Sequence, residues 1–116
     1  MTISDDELGD LALAAFDELP AKFRDQVENL AFVVEDEPPP GKESWLASYY
    51  GVPLTQQSVF RAAQPPHKVT IYRGPLLRLV GDDRERLEEE MRHIVRHELA
   101  HYFGISDARL IEIDAY

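Results

Sequence analysis

The chain has 116 residues, 44% of them apolar and none of them cysteine, with a formal net charge of −10. That length suits one compact domain and is too short for two, so a single domain over residues 1–116 is expected. The acidic balance argues against a nucleic-acid surface, which needs clustered Lys and Arg, and against an anionic membrane; the lack of cysteine excludes a disulfide framework and thiolate ligands.

The first residues, Ser4-Asp5-Asp6-Glu7, are acidic and lack the basic region and apolar core of a secretory signal. No apolar run approaches the ~20 residues of a membrane span. A cytoplasmic location is therefore expected. Ser4 and Glu7 have the spacing of a capping box, and Leu8, Leu11, Ala12, Ala15, Phe16 and Leu19 recur at helical intervals, predicting a helix over about 5–18. Pro20 breaks it and opens a second short helix through about Asn29, with Phe23 and Val27 facing inward. Residues 30–34, Leu-Ala-Phe-Val-Val, read as a buried strand. The acidic, proline-rich run 35–41 reads as a solvated loop.

Residues 45–50 suit either a strand or an irregular aromatic segment, and 51–54 a turn or extended loop. In His67-Lys68-Val69-Thr70-Ile71-Tyr72 the alternation of Val69 and Ile71 with Thr70 and Tyr72 predicts a half-buried strand, ended by Gly74-Pro75. Residues 76–80 fit a strand or a short helix equally well. Asp82 or Asp83 caps a long helix over about 84–103, with Leu87, Met91, Ile94, Val95 and Leu99 as its core positions and Glu88 to Glu90 favourably placed in its first half. A last short helix is expected after Gly104. The sum is an α+β fold, with about four helices around a small mixed sheet and the long helix against one sheet face.

That long helix carries His97-Glu98-Leu99-Ala100-His101, continued as Tyr102-Phe103-Gly104-Ile105-Ser106-Asp107. Residues four apart on a helix lie about 40° apart around the axis and ~6 Å along it, so the His97 and His101 imidazoles can meet at one point. Two neutral ring nitrogens are what a zinc ion asks of a protein. Glu98 lies about 100° round from His97, beside the metal, where its carboxylate can take a proton from a water. Gly104 can reverse the chain and bring Asp107 back as a third ligand, leaving a fourth position to water, the mark of a catalytic rather than a structural zinc.

Other readings of these residues stay open. Ser106 and Asp107 also suit the N-cap of a short segment over 108–114. His93 is the alternative third ligand if Asp107 is only a cap. Three histidines on one straight helix spread over ~12 Å, which favours His93 as a residue beside the site. Tyr102, Tyr49, Tyr50, Tyr72, Tyr116 and His67 are the phenols and imidazole available to help stabilise an oxyanion.

At these residues the sequence resembles the zincin metallopeptidases, and most closely a family of very small bacterial zincin-like metallopeptidases. Tyr72-Arg73-Gly74-Pro75, Gly51-Val52-Pro53-Leu54-Thr55 and Val33-Val34-Glu35-Asp36 also look like recurrent segments of that family. The resemblance implies a minimal zincin fold. It implies one zinc per chain held by His97, His101 and Asp107, with Glu98 as general base and a peptide or protein as substrate. Metzincins usually end the motif in a third His and add a methionine turn, but the only methionines here are Met1 and Met91. Peptide deformylases need a cysteine. The zinc endoribonucleases of ribosomal RNA maturation need a third His and a basic face. Zinc-dependent peptide hydrolysis is the expected activity. Its rival is a non-catalytic zinc-binding or interaction module that keeps the fold, because so small a chain has little with which to build a second side of a cleft.

Overall fold

A computed structural model of the chain describes residues 1–27, 29–51 and 67–103. Among them are helices α1 (Asp5–Asp17), α2 (Ala21–Arg24), α3 (Arg73–Val80) and α4 (Arg84–Tyr102), and strands β1 (Leu30–Glu35), β2 (Ala47–Tyr50) and β3 (His67–Tyr72). The sheet has the order β1-β3-β2, with β1 parallel and β2 antiparallel to the central strand. This is the expected α+β architecture with a small mixed sheet.

Local sequence explains the two long helices. Ser4 Oγ accepts from the Glu7 backbone N–H at 3.1 Å while the Glu7 carboxylate reaches back to Ser4 N–H, so the capping box forms and starts α1. Leu8, Ala12 and Ala15 fall on its buried face. Asp83, not Asp82, caps α4 by accepting from Arg86 N–H at 3.1 Å. Every core position expected of α4 is buried: Leu87, Met91, Ile94, Val95 and Leu99 are at most 4% exposed. Each such side chain contributes about 1.5–3 kcal/mol on leaving water. α4 packs against α1, α3 and β2. A core of this kind holds the motif helix rigidly against the sheet.

Several expectations need correction. The second helix stops at Arg24 rather than Asn29: beyond it the backbone bonds tighten to three-residue turns, Gln26 N–H to Phe23 O and Val27 N–H to Arg24 O, and Asn29 has a left-handed φ of 57°. Phe23 does not face inward; it is 41% exposed, with its ring edge-on to Phe103. β1 is an edge strand of intermediate burial rather than a buried one. β3 is the reverse case: it is central, and Thr70 and Tyr72 are buried along with Val69 and Ile71. Tyr72 tolerates this because its hydroxyl bonds Ser48 Oγ at 2.9 Å.

Residues 76–80 are helical. α3 begins directly after β3, with Pro75 in its first turn, where a missing N–H costs nothing. The loop over 35–41 is solvated as expected, with Pro38 alone of intermediate burial, but it is tied to the rest of the fold. Glu37 receives both Arg78 guanidinium nitrogens at 2.9 and 3.1 Å, and the Gly74 N–H donates to Asp36 O at 2.8 Å. The segment 52–55, Gly104, Ser106, Asp107 with its proposed cap, Tyr116 and the last expected helix lie outside the described residues. Among the described residues no helix is long and apolar enough to cross a membrane.

Candidate metal centre

α4 runs without interruption through both motif histidines, and its pitch brings their rings together. His97 Nε2 and His101 Nε2 stand 3.3 Å apart. Two nitrogens bound to one tetrahedral zinc at ~2.0–2.1 Å are separated by about 3.3–3.4 Å, so the pair already has the chord of two adjacent zinc ligands. Glu98 is 7% exposed, and it lines the same pocket as both histidines. That pocket, about 630 Å³, lies between α4 and residues 44–49.

His93 stands at the far end of the histidine row. Its ring stacks on His97 with centroids 6.2 Å apart, and it lines the pocket one turn before the pair. Among the described residues no group of three His, Cys, Asp or Glu side chains gathers as a metal site. The described part of the motif therefore offers two converging nitrogens, with His93 beside them rather than in the cluster. The two imidazoles fit zinc, which takes neutral ring nitrogens, and the chain has no thiolate to compete with them.

The opposite wall is β2 and the turn before it. Tyr72 N–H donates to Leu46 O at 2.9 Å. In an antiparallel ladder the bonded positions alternate, so with Ala47 opposite Ile71 and Tyr49 opposite Val69 the peptide groups of Ala47 and Tyr49 turn away from β3. Among the described residues β2 is thus an edge strand, with outward-facing N–H and C=O groups beside the pocket.

Of the candidate phenols and imidazole, the structure separates one from the rest. Tyr49 lines the pocket and its hydroxyl bonds Nδ1 of the buried His67. Burial pushes the Tyr49 phenol up to about 12, with Tyr102 adding to the effect. Gly51 backs this pair: at its φ of 146° a Cβ would run into His67 Nδ1 and lie 3.0 Å from the Tyr49 hydroxyl. Tyr102 is fully buried and donates to Gln26 O at 3.0 Å, which makes it a packing residue. Tyr72 is tied to Ser48, and Tyr50 is 64% exposed. Sequence reasoning missed Trp45 as part of the site. The available signal was an exposed-type aromatic run just before Gly51, which marks an edge strand only once its partner is known.

A twisted mixed sheet whose antiparallel edge overlooks a helix bearing His-Glu-x-x-His defines a zincin-like protein. The chain belongs to the zincin-like metallopeptidase family, whose sequence model matches residues 27–116. No curated protein matches the chain. Among solved structures it is similar to a conserved hypothetical protein from Thermo thermophilus, at 22% identity and a TM-score of 0.60, covering 87% of this chain and 94% of that one. That likeness speaks to the fold.

Proposed function

We propose that the chain is a zinc-dependent metallopeptidase, with His97, His101 and Asp107 as ligands and Glu98 as general base. The observation that carries this reading is the 3.3 Å convergence of the two ring nitrogens beside a buried Glu98 in one pocket. A structural zinc site has no use for a carboxylate there. Zinc, when bound, supplies a Lewis acid and lowers the pKa of a coordinated water from 15.7 to about 7.

The chain's own residues supply the rest. Glu98 takes the proton of the attacking water as the new C–O bond forms, then delivers it to the amine nitrogen as the C–N bond breaks. Glu98 is itself largely buried, which strengthens its electrostatic part in that exchange. The outward peptide groups of Ala47 and Tyr49 support an extended peptide lying along β2, as strand-addition ligands do. Tyr49, held by His67, presents a phenol that stays protonated at neutral pH.

Glu98→Gln preserves the shape of the side chain and removes its basicity. It is expected to keep zinc and fold while lowering peptide hydrolysis by about 10²–10⁴-fold. A peptide-library digest on both proteins, read by mass spectrometry, checks this. Equal cleavage by the two would assign the activity to another group. If neither cleaves at any zinc level, the chain is a zinc-binding module instead.

A further inference from the structure

We infer that Trp45 is the specificity-determining residue of this pocket, and that its indole receives an uncharged apolar side chain, leucine- or phenylalanine-like, of an extended peptide lying along β2. The inference rests on the peptide reading above, though not on cleavage.

Three observations carry it. Trp45 is 41% exposed although it lines the pocket wall opposite Glu98. The other large aromatic on that wall, Tyr49, has its polar end committed to His67. A large apolar face left open inside a pocket is the kind of surface on which binding energy concentrates, and Trp is the residue most often found there.

The indole is also presented on a braced segment. Lys42 N–H donates to Pro39 O at 3.0 Å and Trp45 N–H to Lys42 O at 2.9 Å, two successive turns that lead directly into β2. Upstream, the loop is tied to α3 through Asp36 and Glu37. A preorganised aromatic face loses little freedom when a partner covers it. Trp45 stands two residues before β2, so a peptide paired with the outward groups of Ala47 and Tyr49 passes close to the indole.

Charge decides the class of side chain. Lys42 Nζ stands 5.0 Å from the Trp45 ring centroid, so the cation-binding capacity of that ring is already engaged and a second cation is opposed. An acidic side chain gains from Lys42 alone and is opposed by the negative face of the ring itself, by Glu98 in the pocket and by a net charge of −10. An uncharged apolar group meets neither opposition and covers the open ring.

The test uses N-acetylated, amidated hexapeptides of alanine that differ only in one central residue: Phe, Leu, Lys or Glu. Calorimetric titration into zinc-loaded Glu98→Gln protein measures binding without turnover. Trp45 is the only tryptophan in the chain, so its emission reports contact directly. The Phe and Leu peptides are expected to bind at least about tenfold more tightly than the Lys and Glu peptides, and to shift the emission to shorter wavelength. Trp45→Ala is expected to reduce the preference to within about threefold and Trp45→Phe to restore most of it; the exposed position leaves the fold intact, checked by circular dichroism.

Failure of all four peptides to bind at millimolar concentration overturns the inference. So does equal binding of the four, a preference that survives Trp45→Ala, or an emission spectrum unmoved at saturation. The two readings fail separately. Glu98-dependent hydrolysis indifferent to the varied residue and to Trp45→Ala removes this inference and leaves the peptidase. Selective binding to a wild type that cleaves nothing leaves the inference and removes the peptidase.

Discussion

The two walls of the pocket are built in different ways. The α4 wall is one element: His97, Glu98 and His101 are placed by helical pitch, and Leu87, Met91, Ile94, Val95 and Leu99 press into the core. The β2 wall is a composite. Tyr49 depends on His67 of β3 and on the absence of a side chain at Gly51, and Trp45 depends on turns anchored through the acidic loop to α3. The proposed chemistry therefore belongs to the wall that specifies its own geometry. The proposed recognition belongs to the wall that needs the rest of the fold. Loss of a metal-facing side chain of the first should abolish zinc binding with little effect on stability, and damage to the His67–Tyr49–Gly51 support of the second should lower stability and leave zinc binding in place.

The largest expected effect comes from α4. His101→Ala removes one of two converging nitrogens from a partly exposed position. Losing a residue that merely orients a ligand typically costs 10–100-fold in metal affinity, so losing a ligand should cost more than about 100-fold. Competition with a chromogenic chelator measures it, and the melting temperature of the metal-free protein should scarcely change. Retained zinc affinity would break the comparison at its root, because the α4 wall would then not be the metal wall.

Gly51→Ala should have the opposite profile. The positive φ strains any L side chain, and the added methyl strikes the His67–Tyr49 pair. Strain of this kind costs of order 1–3 kcal/mol, visible in urea unfolding, while the His97–His101 pair stays in place and zinc affinity holds within about threefold.

That split also explains what is legible in the sequence. Within α4 the cap, the core stripe and the convergence of the two imidazoles use spacings inside one helix, and all three appear in the structure. α1 is legible for the same reason. Pairing partners are not. Nothing in residues 30–34 or 67–72 distinguishes an edge strand from a central one, so the burial expected of β1 belongs to β3. The sequence overextends α2 because nothing in residues 25–29 marks the change from helix to tight turns that follows Arg24. The acidic loop reads as solvated and is, but its ties to Gly74 and Arg78 are not legible, because those partners lie about forty residues further along the chain. His67 and Tyr49 are recognisable only as two separate candidates.

A smaller effect sharpens the account of the β2 wall. Tyr49→Phe removes one hydrogen bond to the buried His67, worth about 0.5–1.5 kcal/mol. The same change should alter the alkaline titration. The folded Tyr49 phenol ionises near 12, above the ordinary value of 10, so the native state holds that proton more tightly than the unfolded chain. The stability this contributes is fully present below about 10 and is lost as pH rises through the folded value. Ultraviolet titration of the phenolates should show a late step in wild type that Tyr49→Phe lacks. A wild-type curve complete by about 11 would mean that the phenol is not shielded as the structure has it.

The smallest effect is expected at Arg78, the outermost support of the Trp45 loop. Its two-pronged pair with Glu37 is solvent-exposed on both sides, and such pairs are strongly screened. The Arg78 guanidinium holds the Glu37 carboxyl below the usual carboxylate range, so the pair contributes at and above that range and is lost as pH falls through the lowered value. The loop has a second tie, Gly74 N–H to Asp36 O, that Arg78→Met leaves untouched. Melting temperature and zinc stoichiometry at neutral pH should therefore match wild type, with the preference for the Phe over the Lys peptide reduced by a factor on the order of two. A loss of preference as complete as that of Trp45→Ala would show that placement of the whole loop, rather than the indole it carries, governs what the β2 wall accepts.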